Sequence, residues 1–421
     1  MIEAKAPVTC DIVVGTRPEA IKLAPLVHRL RREPSKFEAR IITSGQHGEI
    51  CRAALANFGL TTDIALTPEP VGYALANIAS AVLAVFGWHF ATSAPDILVV
   101  QGDTTTAMAA ALGAFYANVP VVHVEAGLRS GDMANPFPEE ANRKIIDDIS
   151  TILLPPTSSA QRNLLRAGFD EMLCPVTGNT VVDALSMLCD LHSPTLNGTG
   201  LTEVEVKDRR LILVTMHRRE SWGEDIEAIC SAVRSIADRH PDVVIALPVH
   251  PNPNVSRSVT KVLGQHPRIR LLAPLDYIPF LGLMRRAHLI LTDSGGIQEE
   301  APSFGVPVLV IRRTTERPEA VEAGLARIVG TEPSGIENNV EELLRNDAVR
   351  RQMTAATNPF GDGRACDRIA EILDNWRHGE RLLSPGSAFS PARVVSQAIP
   401  MIAAAASRHP PAPPWFVGGV A

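Results

Sequence analysis

A repeated alternation most constrains what this chain can become. Short apolar, β-branched runs at 11–14, 39–43, 96–100 and 119–124 are separated by longer amphipathic segments. The pattern resumes at 211–215, 243–247, 269–273, 289–292 and 307–311. Helical periodicity fills the gaps, as at 19–31, 104–116, 223–239 and 363–376. Strands that read as nearly continuous apolar runs are buried on both faces. The alternation therefore predicts α/β architecture, with parallel sheets covered by helices. A polar stretch at 191–208, containing Pro194, Gly198 and Gly200, separates two such series. The 421 residues allow two or three domains at roughly 150 residues each. This reading places one Rossmann-like unit at 1–185, a second at 186–357 and a Pro- and Ala-rich irregular tail at 377–421.

Composition narrows the function classes. The formal net charge of -6 supplies no global basic field, which argues against a nucleic-acid partner. Any phosphate must be met by local positive charge. The cysteines (Cys10, Cys51, Cys174, Cys189, Cys230 and Cys366) are dispersed without a C-x-x-C pair. That spacing opposes a zinc site or disulfide scaffold and leads us to expect a reducing cytoplasm. The first residues, MIEAKAPVTC, lack the apolar stretch of a secretion signal. No uninterrupted apolar run reaches bilayer length, so no membrane partner is expected. The apolar stretch near Ala403 reads as a tail feature. Neither G-x-G-x-x-G nor a Walker lysine motif occurs, which weakens dinucleotide and ATP readings.

The unusual polar clusters fall just after the expected strands. GTRPE (15–19), SGQH (44–47), QGDTTT (101–106) and HVEAGLR (123–129) do so in the first series. MHRRES (216–221), PVHPN (248–252), DSGG (293–296) and RRTTERPE (312–319) do so in the second. Open parallel sheets bind ligands outside the carboxyl ends of their strands, so two such rims imply a shared cleft.

Several clusters suggest chemistry. In TDSGGIQEE (292–300), Gly295 and Gly296 allow close backbone approach at a helix start, Ser294 adds a hydroxyl, and Glu300 can accept ribose hydroxyls. A capped tight turn would look the same. Arg17 and Lys22, in GTRPEAIK, would complement phosphate at a second helix start, although a solvated helix face is an alternative. The segment 125–143 carries Glu125, Arg129, Asp132, Glu139, Glu140 and Arg143 around Pro136 and Pro138. It reads as a shaped loop entering a helix, with carboxylates suited to acid–base work. Asp103 adds another carboxylate nearby, or simply caps the helix that follows. His217, beside Arg218 and Arg219, could contact a diphosphate or move a proton. His250 and His47 lie on the rims with no partner evident. The apolar segment 108–115 reads as core.

With these motifs in order, the chain resembles the non-hydrolysing UDP-N-acetylglucosamine 2-epimerases. The likeness runs from Gly15 to about Leu373 and includes GTRPEAIKLAPL, QGDTTT, HVEAGLRSGD, PFPEEANR, GNTVVDAL, TMHRRESWG, PVHPNPNV, TDSGGIQEEAPSFGVPVL, TTERPEA and NPFGDGRAC. The resemblance implies a GT-B-like fold of two Rossmann-like domains with a cleft between them. The helix at 358–376 would complete the first domain, and the second would bind UDP. It further implies elimination of UDP to a 2-acetamidoglucal, then re-addition with inverted C2, in a homodimer that needs no cofactor and no metal; a hydrolysing epimerase releasing N-acetylmannosamine and UDP, or an epimerase of a modified UDP-sugar, is the alternative. Catalytic roles map onto Asp103, Glu125, Glu139 and His217. UDP contacts map onto Arg17, Lys22, Arg143, Ser294, Gly295 and Gly296, with Glu300 at the ribose and Phe280 near uracil. Members commonly bind an activating second UDP-sugar, which would involve Gln46 and His47. Here Gly48-Glu49 replaces the common Arg-Gln, and PEPVGY (68–73) lacks the expected glutamine, so weak or absent activation is expected. Met216 and Arg313 also depart from the usual glycine and aspartate.

Overall fold

The computed structural model describes residues 6–44, 48–72, 74–216, 224–250, 252–384 and 386–391. His217, Gln46 and His47 lie outside them, as does the tail beyond 391.

The first half alternates β1 (Val8–Val14), α1 (Arg17–Arg31), β2 (Phe37–Thr43), α2 (Gly48–Ala56), β3 (Ile64–Ala65), α3 (Leu75–Ser93), β4 (Ile97–Gln101), α4 (Thr105–Tyr116), β5 (Val121–Val124), α5 (Glu139–Ile149), β6 (Ile152–Leu154), α6 (Ser158–Arg166) and α7 (Thr180–His192). The second half runs α8 (Glu203–Val206), β7 (Arg210–Thr215), α9 (Glu224–Arg239), β8 (Val243–Pro248), α10 (Pro253–Leu263), β9 (Ile269–Leu272), α11 (Tyr277–Arg286), β10 (Leu289–Thr292), α12 (Gly295–Glu300), β11 (Val308–Val310), α13 (Pro318–Glu322), β12 (Ala326–Ile328), α14 (Pro333–Arg345), α15 (Asp347–Gln352) and α16 (Ala365–Arg377).

Two parallel six-stranded sheets result, ordered β3-β2-β1-β4-β5-β6 and β12-β11-β10-β7-β8-β9. Counted within its own half, each follows the doubly wound order 3-2-1-4-5-6. The order reverses between β1 and β4, paired Cys10 to Ile97, and between β7 and β10, paired Ile212 to Leu289. The central strands β4 and β10 are buried throughout, and β7 everywhere but Arg210, as the continuous apolar runs required. Both sheets thus open a ligand crevice at their switch points.

Two expectations change. Among the described residues one helix, α3, is long and apolar enough to cross a membrane, with a mean hydropathy of 1.4. Asn77, Ser80 and His89 interrupt its apolar run, which hid it from a search for unbroken stretches. Its inner face nevertheless belongs to the fold. The buried His89 ring meets the buried Asp11 carboxylate at 2.7 Å, and Asp11 also accepts from Arg40 at 2.6 Å. The segment 108–115 is only partly core, because α4 buries a face of small residues, including Ala107, Ala110, Ala111 and Ala114, and leaves Phe115 outside.

The end of the chain returns to the first half. Helix α16 packs on α1 through Arg29–Asp367 (2.7 Å), and Lys36, just before β2, reaches Asp374 (2.8 Å). Asp183 of α7 accepts the first N–H groups of α16 from Ala365 (3.2 Å) and Cys366 (2.9 Å). Burial pushes its carboxyl up to about 6 despite those donors. The segment after α16 buries Leu382, Leu383 and Phe389. Phe389 N–H donates to Val176 O (2.9 Å), and Arg368 lies over the Phe389 ring. All six cysteines are buried free thiols.

Candidate active site

The site is built from turns that close the inner strands. After β1, Gly15 passes so close to α4 that a Cβ there would stand 2.7 Å from the Thr106 side chain. Glycine is required by that approach. The buried Glu19 carboxylate then accepts N–H bonds from Gly15 (2.7 Å) and Thr16 (2.6 Å), and the Thr104 hydroxyl (2.6 Å). One side chain therefore ties the turn after β1 to the turn after β4. Burial raises the Glu19 carboxyl above its ordinary range.

Thr104, not Asp103, caps α4, accepting from Ala107 N–H at 3.0 Å. Asp103 is thereby released from the capping role that its position suggested. Its carboxylate receives Arg143 Nη2 at 2.5 Å, and its carbonyl receives the Asn142 amide at 2.9 Å. Arg143 also donates to Glu140 at 3.0 Å. The fully buried Glu140 in turn accepts the Ser130 N–H at 2.9 Å, which shapes the loop entering α5. Glu139, the first residue of α5, has a buried Oε2 with no hydrogen-bond partner among the described residues.

Glu125, just beyond β5, has φ of 67°, in the left-handed region. A non-glycine residue held there costs about 1–3 kcal/mol and points to a functional constraint. Lys22 Nζ donates to both carboxylate oxygens of Glu125 (2.6 and 2.9 Å), and Gln101 Nε2 donates at 2.5 Å. Burial disfavours the Lys22 ammonium, yet Glu125 and Glu299 outweigh it and hold its pKa above the usual value.

On the facing side, Ser294 is the N-cap of α12 and its N–H bonds Thr292 Oγ1 at 2.9 Å. A Cβ on Gly296 would meet nothing nearer than Ser294 Oγ at 3.9 Å, so this backbone is open to an incoming group. Glu300 closes the helix. Burial pushes its carboxyl up to about 7, while the Tyr277 hydroxyl donates to it at 2.9 Å and opposes that rise. Burial and the Glu300 charge also raise the Tyr277 phenol.

These groups line a cavity of 670 Å³ between the two halves. Arg17 and Lys22 enter it from α1, Phe280 from α11, and Ser294, Gly296 and Glu300 from α12. Glu125 reaches it through Lys22. Asp103, Glu139 and Arg143 do not line that cavity. They form an adjoining group around the start of α5. Gly295 is buried beneath the turn. Glu299 and Arg317 line the cavity too, although residue-by-residue reading passed over both. The signal for Arg317 was its strand-end cluster RRTTERPE. Glu299 was masked by its neighbour Glu300, which points elsewhere on the same short helix.

The architecture has known counterparts. A sequence model of the UDP-N-acetylglucosamine 2-epimerase family matches residues 28–374. The Escherichia coli O157:H7 UDP-N-acetylglucosamine 2-epimerase is 47% identical over 369 residues, covering 87% of this chain and 98% of that protein. A Listeria monocytogenes structure assigned the same activity is 42% identical with a TM-score of 0.83, covering 90% of this chain and 98% of that one. The Neisseria meningitidis enzyme, solved with UDP-N-acetylglucosamine bound, is 36% identical with a TM-score of 0.79, covering 87% and 99%. The fold is accordingly α/β and GT-B-like.

Proposed function

The chain belongs to the UDP-N-acetylglucosamine 2-epimerase family, and from that premise we propose that it interconverts UDP-N-acetylglucosamine and UDP-N-acetylmannosamine without hydrolysis. A base removes the C2 proton, the C1–O bond breaks with its electrons leaving on UDP, and 2-acetamidoglucal remains. Re-addition of the UDP oxygen at C1 and of a proton to the opposite face of C2 gives the epimer.

The observation that carries this reading is a cavity lined by cations and a helix start, with carboxylates adjoining it. Arg17, Lys22, Ser294 and the Gly295–Gly296 turn gather where a diphosphate would leave, and preorganised cations and N–H groups stabilise such a leaving group. Glu300 and Phe280 sit beyond them, suited to ribose hydroxyls and the uracil face. The candidate carboxylates adjoin this cavity: Glu125 reaches it through Lys22, and Asp103 and Glu139 lie around the start of α5. Glu139 has an oxygen without a partner among the described residues, suited to take a proton, an effect worth about 10²–10⁴-fold in rate. Asp103 is fixed by Arg143 and Asn142, and Glu125 by Lys22 and Gln101. His217 joins them by resemblance alone. Arg143 already serves two carboxylates, so its contribution to UDP is shared with Asp103 and Glu140.

The test follows the purified protein with UDP-N-acetylglucosamine by proton NMR in deuterium oxide. UDP-N-acetylmannosamine carrying deuterium at C2 is expected. Free N-acetylmannosamine with UDP as the main products would establish a hydrolysing enzyme, and no reaction would remove both.

We also read the outer face of α3 and α4 as the seat of a second copy. Trp88, Phe115 and Tyr116 are 66%, 52% and 68% exposed there, although α3 is apolar enough for a membrane. Large apolar side chains exposed on two packed helices suit an interaction surface.

A further inference from the structure

Four alternating charges close a ring where the two halves meet. Lys22 Nζ bonds Glu125 at 2.6 Å and Glu299 Oε2 at 3.2 Å. Arg317 Nε bonds Glu299 Oε1, and its Nη2 lies 3.8 Å from Glu125 Oε1. Lys22 of α1 and Glu125 beyond β5 belong to the first half, Glu299 of α12 and Arg317 before α13 to the second. The Glu299 side chain is 1% exposed. It also accepts the Asn179 amide at 3.3 Å, while Asn358 fixes its backbone carbonyl at 2.9 Å. Burial would raise the Glu299 carboxyl, but Lys22 and Arg317 hold it below the ordinary carboxylate range. A buried charge is tolerated only when paired so completely, and removing one partner leaves the others uncompensated.

This pattern exceeds what phosphate binding needs. Cations meant only for a diphosphate would be left open to it. Here both also face one carboxylate, Glu125, which sits in a strained backbone conformation. We propose that Glu299 is a positioning residue: by gripping Lys22 and Arg317 together it sets Glu125 for proton chemistry only when the second half is docked on the first. Substrate bridging the halves thereby assembles the catalytic carboxylate. The inference rests on the proposed epimerase reading and extends it to residues for which that reading supplies no role.

Glu299→Gln keeps the side-chain shape and its hydrogen bond to Arg317 but removes the charge that fixes both cations. The expected result is a kcat lowered by about tenfold or more, with UDP affinity by calorimetry within about threefold of wild type. Because Glu299 acts through Glu125, the Glu299→Gln/Glu125→Gln double variant should be no slower than Glu125→Gln alone. Asn179→Asp provides a second route: its carboxylate can still cap α7 at Val181 N–H, yet it repels Glu299. It should lower kcat in the same direction with little change in UDP affinity. Near-normal turnover in Glu299→Gln, multiplicative losses in the double variant, or an equal loss of UDP affinity and kcat would each overturn the inference. If Glu299→Gln does not fold, Asn179→Asp decides, and its normal turnover would overturn the inference. An inactive wild type in the same assay would instead refute the epimerase reading, and the inference with it.

Discussion

In the proposed reaction, single side chains act through what they are released from or tied to. Asp103 is freed from capping by Thr104, Glu139 has one oxygen without a partner among the described residues, and Glu125 is held by Lys22 and Gln101. Asp103→Asn, Glu125→Gln and Glu139→Gln should each lower kcat far more than UDP affinity, because a carboxamide keeps the shape and cannot exchange the proton. Steady-state kinetics beside calorimetry checks this, and a variant with near-normal turnover leaves the catalytic set. Glu300 gives a pH prediction with a definite sign. Its carboxyl stands at about 7 in the fold, against an ordinary 4.5. Between those values the folded state keeps a proton that the unfolded chain has lost, so stability falls as pH rises through that window. Glu300→Gln removes this slope. Its melting temperature should gain on wild type from pH 4.5 to 7 and hold that gain above, while its UDP affinity falls. A pH-independent difference would show that Glu300 titrates normally.

At the scale of elements, the legible parts were those whose pattern is local. The inner strands β1, β4, β7 and β10 announced themselves as apolar runs, and the turns after them as polar clusters. The short outer strands β3, β6 and β12 did not, because two or three residues carry no period and their pairing is fixed by the neighbouring strand. Glu299 and Arg317 could not be assigned because their partners, Lys22 and Glu125, are nearly 200 residues or more away in sequence. The segment after α16 was misjudged for a related reason. Its composition suggests an appendage, but Leu382 and Leu383 join the main apolar core, and Phe389 packs under Arg368 of α16 beside Val176. Each such side chain is worth up to about 1.5–3 kcal/mol when buried. Truncation after Trp376 should therefore lower the melting temperature by several degrees relative to truncation after Pro391. Equal melting temperatures would show that the packed segment contributes nothing.

For the whole molecule, two doubly wound sheets face each other at their switch points, so a ligand held between them is read by both. The exposed face of α3 and α4 gives the assembly a prediction of its own. Trp88→Glu should convert a dimer into monomers in sedimentation velocity without altering the UDP site, and an unchanged sedimentation coefficient would place the partner elsewhere. The central claim is that the cleft breaks the C1–O bond and keeps UDP until it is re-added. UDP-N-acetylglucosamine labelled with ¹⁸O in the oxygen between C1 and the β-phosphorus tests it most directly. If UDP is released within the closed site, its terminal phosphate can rotate. Phosphorus NMR should then show the label moving to non-bridging positions as epimerisation proceeds. Epimerisation with the label remaining wholly in the bridge would contradict elimination and re-addition as the route.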